Sequence, residues 1–129
     1  MMPESNWHVS IRQSILDMTL DIISRLDHAI VTLKKFNPKV QILLSVDPVP
    51  LSISFRPHLG PYIATSYSKA ILTIAAMELI QKHNYVHYLP TYEIIRNNPK
   101  AYYLPDGRHI NAHGIKSIMR AFEKLYVLN

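Results

Sequence analysis

Cysteine is absent from the 129 residues. That absence excludes disulfide staples, thiolate metal centres and a cysteine nucleophile. Glycine is scarce, with 3 residues against 9 prolines, and no segment repeats, so collagen-like and low-complexity architectures are excluded. Apolar runs are short, such as Ile42-Leu43-Leu44 and Ile71-Leu72, whereas a membrane span needs about 20 apolar residues. The start, Met1-Met2-Pro3-Glu4-Ser5-Asn6-Trp7-His8, has no apolar core behind a basic stretch, as a signal peptide would. The expectation is a cytoplasmic chain without membrane contact. Acidic residues number 9 against 14 Lys plus Arg, a net charge of +5. The basic residues are scattered and match no recognition motif, which argues against nucleic acid as a partner.

What is present is enough apolar material for a core: 48% of the residues are hydrophobic. The length suits one domain over residues 1–129. Residues 10–36 carry Ile11, Ile15, Met18, Ile22, Leu26, Ala29 and Leu33 at helical spacing. Ser10 and Gln13 form a capping-box pattern, and Asn37-Pro38 ends the helix. Residues 40–46 are almost continuously apolar, which predicts a strand buried on both faces of a parallel sheet. A proline-rich loop covers 47–61, and loops of that length inside a compact domain are usually functional. A second helix is expected at 65–83, with Ala70, Ile71, Ile74, Ala75, Leu79 and Ile80 inside and Lys69 solvated. Residues 85–89 read as a second strand, 91–97 as a helical turn or irregular segment, and 98–110 as loop. Asn111 caps a last helix with Ile115, Ile118, Met119, Phe122, Leu125 and Tyr126 on one face.

Helices alternating with apolar strands imply a parallel α/β sheet with right-handed crossovers. Two strands are too few to complete it. Either this chain is the C-terminal part of a larger α/β domain, or a partner chain covers the open side.

Three stretches, in order, resemble a known family. They are Leu44-Ser45-Val46-Asp47-Pro48-Val49-Pro50-Leu51; Tyr67-Ser68-Lys69-Ala70-Ile71-Leu72 leading into Ala75-Ala76-Met77-Glu78; and Val86-His87-Tyr88-Leu89-Pro90-Thr91-Tyr92-Glu93-Ile94-Ile95 with Asp106-Gly107-Arg108-His109 beyond it. Together they are similar to the C-terminal half of the GSCFA family, a branch of the SGNH (GDSL-like) hydrolases, over about residues 35–122. The resemblance implies a partial three-layer, flavodoxin-like α/β fold with short parallel strands flanked by helices. It also implies a Ser-Asp-His esterase or acyltransferase centre acting on O-acyl esters, carbohydrate esters among them. Asp106 would then orient the imidazole, and His109 would be the general base. No cofactor is implied.

Two features depart from the family. Its Gly-Ser-Cys-Phe-Ala nucleophile signature is missing from this sequence, so the serine would come from an absent segment or another chain. Thr65 stands where the family tends to carry Asn, and Asp47 where it often has Ser. Thr65, with a different donor reach, and Tyr67, which flanks the loops, are the substrate-binding candidates. His109 with His113, and His83 with His87, have the i, i+4 spacing of metal ligands but lack a third ligand, so no metal is assigned. Ser68-Lys69 is not a nucleophile pair, because adjacent helical side chains diverge. The rival reading is a non-catalytic remnant that forms homo-oligomers, or docks a partner, through an open sheet edge.

Overall fold

In the computed structural model, residues 5–55 and 58–128 are described, with side chains described from residue 14 onward. Helix α1 (Ser5–Phe36) begins before the expected start. Ser10 therefore sits inside a helix rather than at its cap, and the side chains of Ile11 and of the Ser10/Gln13 pair lie outside the described residues. The buried line of α1 also differs from the expected stripe. Ile30 is buried and Ile23 packs beside it, whereas Leu26 and Leu33 are 36% and 52% exposed. Both pairs have seven-residue spacing, so periodicity alone could not choose between them. Asp27 helps decide the choice, because its carboxylate receives Lys82 Nζ at 2.7 Å and contacts His83 Nε2 at 2.6 Å at the far end of the next helix. These bonds hold the Asp27 carboxyl below its ordinary value.

Strand β1 (Ile42–Leu44) and strand β2 (Val86–Tyr88) pair in parallel, Ile42 opposite Val86 and Leu44 opposite Tyr88. Both are shorter than the apolar runs that contain them. Backbone bonds from Ile42 N to Tyr85 O (2.9 Å) and from Leu89 N to Leu44 O (2.8 Å) close the ladder. Helix α2 (Pro61–Lys82) is the crossover. It starts at Pro61, where a missing N–H costs nothing because the first helical donors have no partner in any case. Leu79 of α2, Ile30 of α1 and Val86 of β2 form the core, with Ile42 and Leu44 against it.

The opposite face of the sheet does not match the expectation of burial on both sides. Leu43 is 38% exposed, and the chain's end reaches this face. There the Tyr126 hydroxyl donates to Tyr88 O at 2.6 Å, and its ring lies 5.9 Å from that of His87. Helices thus flank a two-stranded parallel sheet, a partial α/β fold. Beyond β2, α3 (Thr91–Asn97) takes the helical alternative, α4 (Pro99–Tyr102) adds a turn inside the expected loop, and the expected last helix is α5 (Ala112–Phe122) followed by a π-helical turn, Glu123–Val127. The apolar face expected to be buried on α5 is largely open, with Ile115 54% and Met119 48% exposed.

Helix α2 corrects two further expectations. Its 22 residues, with a mean hydropathy of 1.3 over an 18-residue window, meet the length and composition of a membrane span, although no uninterrupted apolar run does. A core helix of an α/β domain meets the same description, and α2 buries Ile71, Ala75 and Leu79. Lys69, expected to be solvated, is buried, while Ile74, expected inside, is 51% exposed. Leu79 is fully buried, so Leu79→Ala should lower unfolding free energy by about 2–5 kcal/mol, measured by urea denaturation of the whole chain. A smaller loss would mean that the contact between α1, α2 and the sheet is not the folding core.

Candidate functional site

The segment after α4 is irregular in outline but tightly bonded. Tyr103 and Ile110 form an isolated antiparallel bridge. Inside it, Leu104 N donates to His109 O at 2.7 Å, and Gly107 N to Leu104 O at 2.9 Å. Gly107 adopts φ +68°, a left-handed conformation that glycine takes without a Cβ penalty. Asn111 then caps α5: its Oδ1 accepts from Gly114 N at 3.0 Å, while its Nδ2 donates back to Ala101 O at 2.8 Å.

This loop brings together the two residues expected to form an acid–base pair. One carboxylate oxygen of Asp106 accepts from the backbone N–H groups of Arg108 (2.9 Å) and His109 (3.0 Å). The other meets His109 Nδ1 in a short contact. A carboxylate only accepts, so the proton between them belongs to Nδ1, and in the neutral ring Nε2 then carries the lone pair. The His109 hydrogen bond, followed by the two backbone bonds, holds the Asp106 carboxyl well below the usual carboxylate range. The His109 side chain is 68% exposed, so Nε2 is open to reactants.

Beside this loop lies a crevice of about 110 Å³, bordered by Pro48, Thr65, Tyr92, Arg96, Tyr103 and Gly107 among others. Pro48 follows β1 and Tyr92 follows β2, so the crevice lies at the carboxyl ends of both strands, where open α/β sheets place ligands. Its walls are tied together. The Tyr103 hydroxyl donates to Pro48 O at 2.6 Å, and the buried Thr91 hydroxyl to Val46 O at 2.7 Å. Burial raises the Tyr103 phenol above its ordinary value, with the nearby Arg96 cation opposing that rise. The Tyr88 hydroxyl donates to both Glu93 carboxylate oxygens, at 3.0 and 3.2 Å, and burial together with that partner pushes its pKa up to about 12.

Thr65 lines the crevice, and its Oγ1 accepts from Leu51 N at 3.0 Å. Tyr67, further along the same helix, does not line it. Asp47 meets the buried Lys69 Nζ at 3.4 Å, at the inner end of the loop after β1. Three other histidines are engaged elsewhere. His113 stacks on Tyr102, His83 contacts Asp27, and His87 Nε2 meets Gln41 Oε1 at 2.8 Å. Among the described residues, no three side chains of metal-ligating type converge.

A crossover unit of two parallel strands, with an Asp–His pair in a bonded loop before the last helix, defines a fragment of the α/β class. The GSCFA family model matches residues 10–122, and the chain belongs to the GSCFA family. No curated protein and no solved structure matches the sequence.

Gly114 was not singled out by the sequence. It is buried where α5 crosses the loop, and an added Cβ would stand 2.5 Å from Ile110 Cγ2 and 3.0 Å from Ile95 Cδ1. A lone glycine near a helix start gives no sign of such a crossing. Gly114→Ala should push α5 off Ile110, the residue after His109. We expect a loss of about 1–3 kcal/mol in urea unfolding and a shifted His109 imidazole signal in ¹⁵N NMR; an unmoved signal would show that the loop does not depend on this contact.

The Asp106 bonds also set a pH dependence. A carboxyl with a lowered folded pKa stabilises the fold fully above its unfolded value of about 3.9, and that contribution fades as pH falls toward the folded value. Asp106→Asn should therefore lower Tm at pH 7 and leave a smaller difference from wild type at pH 3. Equal differences at both pH values would contradict this.

Proposed function

We propose that this chain supplies the acid–base half of an SGNH-type esterase or acyltransferase centre acting on O-acyl esters, carbohydrate esters among them. In this reading residues 1–129 are the C-terminal part of a larger cytoplasmic domain. The serine comes from a segment outside this sequence or from another chain. Its Oγ–H gives a proton to His109 Nε2 while Oγ attacks the acyl carbonyl. The imidazolium, steadied by the Asp106 carboxylate, returns that proton to the departing alkoxide. Water or an acceptor hydroxyl then repeats the cycle. Thr65 keeps a hydroxyl hydrogen to donate to a substrate oxygen, and Tyr67 flanks the substrate path.

The observation that carries the proposal is the Asp106–His109 pair, fixed through Nδ1 with its other nitrogen exposed. Family membership supports it. A positioned general base contributes about 10²–10⁴ in rate. The full chain should therefore release p-nitrophenol from p-nitrophenyl acetate above the buffer rate, with His109→Ala returning it to that rate and Asp106→Asn lowering it by about 10-fold or more. An undiminished rate in His109→Ala would remove the proposal.

A second reading rests on Leu43, Ile115 and Met119, which are 38%, 54% and 48% exposed. Exposed apolar residues on the two-stranded sheet and on the last helix favour an interaction module that pairs with a second copy or a partner. A stable dimer in sedimentation, combined with an absence of esterase activity, would select it.

A further inference from the structure

Among the residues that border the crevice at the strand ends, Arg96 is the one that carries a charge. Lys69, Lys82 and Arg25 each pair with an aspartate, and Lys34 sits over the Tyr85 ring. Among the described residues, Arg96 has no ion-pair partner, yet it borders the crevice at the strand ends. Of the acidic groups on these elements, Asp47 meets Lys69 at 3.4 Å, and Glu93, three residues before Arg96 on α3, accepts from the Tyr88 hydroxyl. Thr65 and Ser66 border the same crevice, with Tyr62 and Tyr92 as aromatic lining.

We propose that this crevice binds a carboxylate carried by the substrate, with Arg96 as the residue that recognises it, so that the ester acted upon belongs to an acidic sugar. A guanidinium offers a planar fork that matches a carboxylate through two parallel hydrogen bonds. The single guanidinium on the crevice wall suits a monoanion, whereas a phosphate monoester would bring close to two charges. At about 110 Å³ the space is well below the roughly 300 Å³ at which pockets for whole small molecules begin. It suits one functional group and the edge of a ring, not a long acyl chain. The aromatic walls add apolar faces with polar tips, which fit the mixed surface of a sugar. The crevice reaches the Asp106–His109 loop at Gly107, so an anchored carboxylate would hold an ester elsewhere on the same sugar near His109.

This inference rests on the ester-cleaving reading only for what the bound sugar undergoes, and its test is binding. The full chain is titrated with glucuronate, glucose and inorganic phosphate, with chemical shifts of the Arg96 and Thr65 amides followed by NMR. Saturable shifts with glucuronate are expected, with glucose at least 10-fold weaker. Arg96→Gln should weaken glucuronate at least 10-fold and leave glucose unchanged, while Arg96→Lys should recover part of the loss. His109→Ala should bind glucuronate as wild type does, which separates failure of this site from failure of the catalytic reading. Equal affinities for glucuronate and glucose, tighter binding of phosphate, glucuronate binding unaffected by Arg96→Gln, or no binding at all would each overturn the proposal. Arg96 is exposed, so these variants should keep the fold.

Discussion

Parallel pairing of residues 42–44 with 86–88 is the constraint on which the rest depends. Two parallel strands must leave the sheet at the same end, and the chain must return between them through a long crossover. Here α2 makes that return and buries Leu79 against Val86 and Ile30. Because both exits share one end, the loop after β1 and helix α3 after β2 meet there. The Thr91-to-Val46 and Tyr103-to-Pro48 hydrogen bonds then fasten them together. The crevice exists because of that shared exit, and the Asp106–His109 loop is held beside it by the Tyr103–Ile110 bridge.

The family's short motifs turn out to have separate structural duties. In Tyr92-Glu93-Ile94-Ile95, Glu93 ties α3 to β2 through the Tyr88 hydroxyl, Ile95 is fully buried, and Tyr92 faces the crevice. In the proline-rich loop, Pro48 contributes a carbonyl acceptor, and Pro50 forms part of the crevice wall. A Tyr–Glu pair and a proline run that look like unconnected signatures are therefore two sides of one junction.

Much of this architecture was legible in the sequence. The two apolar runs with prolines nearby read as strands, and their parallel partnership followed from the helix between them. Asn111 as a cap, and the Asp106–His109 pair, followed from local spacing and from family resemblance. What escaped was whatever depends on contacts between distant segments. Nothing local separates Ile23 and Ile30 from Leu26 and Leu33, because each pair recurs at the same interval. Lys69 reads as a surface residue until Asp47 is placed near it. Arg96 and Gly114 acquire their roles only once the loops after β1, β2 and α4 converge.

The Asp106–His109 unit closes within a single turn of chain, since Asp106 draws all three of its donors from Arg108 and His109. The pairing is therefore internal to that turn, while the Tyr103–Ile110 bridge and the Gly114 crossing set where the turn sits. On the proposed reading, such an imidazole is already aimed, and the ordering entropy of its base is spent during folding rather than at encounter. A domain divided upstream of this point would keep a ready-made proton acceptor in the later piece.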